Sequence, residues 1–71
     1  MPPYEYKKKD PLYGAAILAV TAELRGGTLA RYEGIVEDAC ERLGIERAAL
    51  DRYIRKHRAE LEATVRREGL A

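Results

Sequence analysis

Few side chains in this sequence could do covalent or metal chemistry, and their spacing argues against both. There is one histidine, His57, one cysteine, Cys40, and no serine. A structural zinc site takes four Cys or His ligands, so this pair cannot fill one, and neither a metal nor any other cofactor is expected. His57 falls between Ile54 and Leu61 on an apolar seam, where a hydrogen-bonded boundary histidine is the ordinary outcome. Cys40 reads as a small core residue at a helix crossing rather than as a nucleophile. Glu37, Asp38 and Glu41 share a helix surface with no partner motif, which is the pattern of a solvated face. Gly26-Gly27 lacks both the lysine and the preceding strand that a phosphate-binding loop requires. No catalytic residue is assigned, no small-molecule substrate is expected, and the chain does not read as an enzyme.

What remains is the chemistry of fixed positive charge. The formal net charge is only +1, so any attraction to nucleic acid must come from a local excess. Between residues 28 and 43 the acids Glu33, Glu37, Asp38 and Glu41 outnumber Arg31 and Arg42. Between residues 45 and 58 the balance reverses, with Arg47, Arg52, Arg55, Lys56 and Arg58 against Glu46 and Asp51. A second basic group, Lys7, Lys8 and Lys9, stands beside Tyr4 and Tyr6. Flexible basic arms reach into grooves or along phosphates, although a solvated tail that keeps the protein soluble accounts for the same residues.

The elements that must position these charges are helices. Residues 1–9, MPPYEYKKK, have no apolar periodicity and read as a flexible basic arm, leaving 10–71 as a single domain. Asp10-Pro11 has the form of an N-cap followed by proline at the first helical position. The first helix is predicted from about 11 to 25 and stops at Gly26-Gly27. Thr28 caps a second, about 29–43, which ends at Gly44, and Gly34 offers a point where it could divide. A third runs from about 46 to 68. In the second helix Leu29, Tyr32, Val36, Ala39, Cys40 and Leu43 fall on one face, and in the third Leu50, Tyr53, Ile54, His57, Leu61 and Val65 recur at steps of three and four. The expected fold class is all-α, a bundle of three to four helices containing a helix-turn-helix.

The segment Ala39 to Ile54 carries the functional argument. A helix-turn-helix needs a small residue where its helices approach, a glycine at the turn four residues later, and an apolar residue after the glycine. Cys40, Gly44 and Ile45 meet those demands. Leu50, Tyr53 and Ile54 can then face the core while early exposed positions of the second helix reach the major groove. The run A-C-E-R-L-G-I-E-R-A-A-L-D-R resembles the helix-turn-helix of Fis-type DNA-binding domains and of phage terminase small subunits, over about residues 34–58. Helix 1 and the tail lie outside the resemblance, which places the motif itself at about 35–58. It implies that duplex DNA is the partner and that Arg47, Ala48, Arg52 and Arg55 face the bases, with Lys56 and Arg58 nearer the phosphates. Arginine suits the role because its planar fork can meet guanine O6 and N7 together. Two positions depart from the pattern. Glu46 stands where the family has Ser or Thr, and Asp51 adds a carboxylate to the same face.

Size bears on assembly. At 71 residues the chain buries a modest fraction of its surface, and with one cysteine it cannot add a disulfide framework. LYGAAILAVTA in the first helix is apolar or neutral all round, which calls for cover on more than one side. A homodimer held through Tyr13, Ile17, Val20 and Leu24 would supply that cover; a central core helix in a monomer is the simpler alternative. The absence of Asn and Gln suits a thermophilic source, though a GC-rich genome has the same effect. No signal peptide is visible, and the uncharged stretch from Pro11 to Ala22 is shorter than the roughly 20 apolar residues of a membrane span, so a soluble, cytoplasmic protein is expected. The competing functional expectation is a helical protein interaction module, an adaptor or inhibitor that does not touch nucleic acid.

Overall fold

A computed structural model of the chain describes residues 11–71. It is all-helical: α1 spans Pro11–Leu24, α2 Leu29–Leu43 and α3 Arg47–Arg67, with no strand among the described residues. The proposed arm and the Asp10 cap lie outside the described residues. Each connection follows from local chemistry. Thr28 sits in extended backbone, and its hydroxyl accepts a hydrogen bond from the Arg31 N–H at 3.1 Å, so α2 is capped as expected. Gly44 takes a left-handed conformation at φ 65°, and the Ile45 N–H then reaches back to the Cys40 carbonyl at 3.1 Å. That bond satisfies a carbonyl the helix would otherwise leave open, and a side chain at position 44 would strain it.

Of the two divisions the sequence allows for the second helix, the undivided one is found. Gly34 does not break α2, which is continuous through it. The irregularity lies in α3, at His57, whose φ of −111° and ψ of 16° are not helical. The part of α3 that carries Arg47 to Lys56 is thereby set off from the part that carries Leu61 and Val65.

α1 is the hub. It packs most extensively against α3, then against α2, while α2 and α3 touch each other least. Ala15, Ala16, Ile17, Ala19 and Val20 of α1 are buried with Val36 and Ala39 of α2 and Leu50, Ile54, Leu61 and Val65 of α3. The alanines let two helices approach α1 closely, and burying the larger aliphatic side chains contributes roughly 1.5–3 kcal/mol each. Two of the four residues of the expected dimer interface are taken up by this core. Ile17 and Val20 are 1% and 0% exposed within a single chain, and Tyr13 and Leu24 pack half-buried against the same core. The face of α1 that carries Ile17 and Val20 is covered internally by α2 and α3, so these two side chains are not available to a second copy, while Tyr13 and Leu24 keep part of their surface exposed.

Two further residues depart from the apolar periodicity. Leu29, the first residue of α2, is 75% exposed, and Leu43, the last, is 46% exposed. Both stand at ends of α2 where the packing against α1 runs out. Leu18 of α1 is also exposed, near Ile35 at the edge of the contact between α1 and α2. No helix among the described residues is long and apolar enough to cross a membrane.

Candidate nucleic-acid interface

The short link from Gly44 to Glu46 delivers the chain into α3, and Glu46 occupies the N-cap position without a side-chain capping bond. The next turns divide the basic residues into two neighbouring stripes. Their environments are opposite.

The first stripe faces back toward the other helices. Arg47 donates from Nη1 to Glu33 Oε2 at 2.7 Å and from Nη2 to Glu33 Oε1 at 2.9 Å, a fork-on-fork pair between α3 and α2. Its Nε donates to Asp51 Oδ1 at 3.0 Å, one turn along α3. Hydrogen bonds to Glu33 first and Asp51 second drive the Arg47 pKa well above its ordinary range. Reciprocally, the Arg47 hydrogen bond holds the Glu33 carboxyl below its usual value. Three turns on, Arg58 reaches Glu23 at the end of α1 at 2.9 Å and Glu62 at 3.2 Å. Here too the contact with Glu23 is the largest influence on a raised arginine pKa. Tyr32 lies between these pairs, and burial, followed by the charges of Glu23 and Asp51, raises its phenol. One stripe of α3 is thus tied to both other helices.

The second stripe faces solvent. Ala48, Arg52, Arg55 and Lys56 are exposed, as is Ala59 beyond the kink. Arg52, Arg55 and Lys56 make no ion pair among the described residues. Spacings of three and four residues put Ala48, Arg52, Arg55 and Ala59 on one side of the helix, with Lys56 alongside. Asp51, the carboxylate nearest this stripe in the sequence, is turned away from it toward Arg47.

The residues expected to contact DNA therefore separate. Ala48, Arg52, Arg55 and Lys56 share an open face. Arg47 and Arg58 do not share it: their guanidiniums pair with intramolecular carboxylates, with 36% and 41% of their side-chain surface still exposed. Lys7, Lys8 and Lys9 lie outside the described residues. The local partners Asp51 and Glu62 were recognisable as residues four positions away from Arg47 and Arg58. Glu33 and Glu23 carried no such signal.

The other candidates take structural places. Cys40 is half-buried against the core, and burial pushes its thiol pKa up, away from the thiolate that a nucleophile needs. His57 packs against Tyr53 with the rings tilted at 43° and their centroids 4.5 Å apart, and its Nδ1 lies 3.5 Å from Glu60 Oε2. No group of three or more His, Cys, Asp or Glu residues that could hold a metal occurs among the described residues. Compared with protein-family models, curated proteins and solved structures, the chain matches none. The likeness to Fis-type and terminase domains rests on the sequence of about residues 34–58 alone.

Proposed function

We propose that the protein binds duplex DNA through the outer stripe of α3, with Gly44 and Ile45 forming the turn of a helix-turn-helix. The observation that carries this reading is the exposed row Ala48, Arg52, Arg55 and Lys56, in which three cations make no ion pair among the described residues, immediately after a tight glycine turn. Unpaired arginines and lysines keep their full charge for phosphates, and each phosphate neutralised releases condensed counterions. In this arrangement Arg47 is a positioning residue: its bond to Glu33 fixes the start of α3 against α2, and so fixes the angle at which the free stripe is presented. One chain offers few free cations, so firm binding calls for two chains on one duplex, each contributing an α3 face.

The test is fluorescence anisotropy of a labelled duplex titrated with the full chain over a range of salt, with sedimentation of the complex to count chains. Three phosphate contacts per chain correspond to a log–log slope of about −3, steeper if two chains or the lysine arm take part. Arg52→Ala should weaken binding by about 1–3 kcal/mol if the guanidinium reads a base edge. Absence of binding at low salt overturns the proposal.

A further inference from the structure

On the side of the molecule turned away from α3, α1 and α2 leave an apolar groove between them. Two depressions meet at Leu18 and Ile35, one continuing to Leu43 and the other to Arg25 and Arg31, and no residue of α3 lines either. Leu18 is 44% and Leu43 46% exposed, and the fold provides nothing to cover them among the described residues.

The charges along the rim are lopsided. Arg25 and Arg31 are exposed and make no ion pair among the described residues, while Arg42 is held by Asp38 at 3.0 Å on the surface. The groove is thus a hydrophobic floor with unpaired cations at its Arg25 and Arg31 end and a neutral pair, Asp38 and Arg42, at the other. Both walls are helices, and a groove between helices accepts a third helix through anchors at i, i+3 or i+4, and i+7. We infer that this groove docks an amphipathic helix of a partner protein whose apolar stripe is flanked by Asp and Glu.

Two other occupants fit less well. A second copy of the chain, docked face to face, would add its own unpaired Arg25 and Arg31 to the groove and no unpaired carboxylate from the groove lining, since Asp38 is already held by Arg42. A nucleic acid would satisfy the arginines but would leave Leu18, Ile35 and Leu43 against phosphate and sugar. The inference does not depend on DNA binding by α3, since the two surfaces share no residue.

The probe is a synthetic helical peptide of about 14 residues, close to the roughly 22 Å length of α2, with leucines on one stripe and glutamates on both flanks. Its control carries lysine in place of every glutamate. Each is titrated into the full isotope-labelled chain and followed by amide NMR shifts. The acidic peptide should shift the signals of Leu18, Ile35 and Leu43 and leave Arg52 and Arg55 unmoved. Leu18→Glu and, separately, the double variant Arg25→Glu/Arg31→Glu should each weaken it about tenfold or more, the loss typical of an interface anchor. All three positions are exposed, so these variants keep the fold, and unchanged thermal melting confirms it. Any of the following overturns the inference: equal binding of the lysine peptide, shifts centred on α3, conversion of a dimer to a monomer by Leu18→Glu in sedimentation, or shifts of the groove signals by duplex DNA in place of the acidic peptide.

Discussion

Arg47 and Arg52 stand five residues apart on the same helix, yet one is locked and the other is free of ion pairs among the described residues. Arg47 belongs to the stripe that also holds Asp51, Arg58 and Glu62, and every one of these residues has an ion-pair partner. Arg52 belongs to the stripe of Ala48, Arg55 and Lys56, which is exposed along its length. The difference arises from what lies opposite. The first stripe passes within reach of Glu33 on α2 and Glu23 on α1, whereas the outer one is turned to solvent. An arginine count cannot distinguish a brace from a ligand contact, because both use the same planar fork. What decides is whether a carboxylate is already in place.

The largest effect that would break this comparison is on binding. Replacing Arg52, Arg55 and Lys56 together with alanine should flatten the salt dependence of DNA affinity by about 3 in log–log slope, with no fall in melting temperature. If the triple variant binds as before, the free stripe is not the contact surface.

A smaller effect, on stability, tests the braced stripe. Arg47→Ala should lower stability by about 0.5–1 kcal/mol, a modest figure because the pair is partly exposed and screened by water. For a domain of this size that is a fall of about 3–6 °C in melting temperature. An equal fall for Arg52→Ala would erase the distinction between the stripes.

The smallest effect concerns pH. Hydrogen bonding to Arg47 holds the folded-state carboxyl of Glu33 below its ordinary value of 4.5. A depressed carboxylate contributes stability that is complete above the unfolded value and is lost as pH falls through the folded one. The melting difference between the wild-type chain and Glu33→Gln should therefore be steady near neutral pH and narrow below pH 4.5. A difference that persists unchanged in strong acid means that Glu33 acts through packing and not through its charge.

Much of the fold was legible along the chain because its signals are local. Thr28 capping α2 and Gly44 turning the chain are encoded within a few residues of where they act, and the apolar spacing from Leu50 to Val65 marks the buried face of α3 without reference to any other helix. The same locality left one point open and missed another. Gly34 has a low helix propensity, but its neighbours on α2 pack against α1, and tertiary contact outweighs about 1 kcal/mol of propensity. The kink at His57 has no proline or glycine to announce it.

The sequence by itself determined that this chain is helical, where its helices begin and end, and that basic residues gather in α3. Tertiary structure alone decided which of those residues are spent inside the molecule. Glu23 and Glu33 meet Arg58 and Arg47 only once α1 has drawn α2 and α3 onto itself, and Ile17 and Val20 become core residues for the same reason. Periodicity states which way a side chain faces on its own helix; it carries no information about what the neighbouring helix puts there.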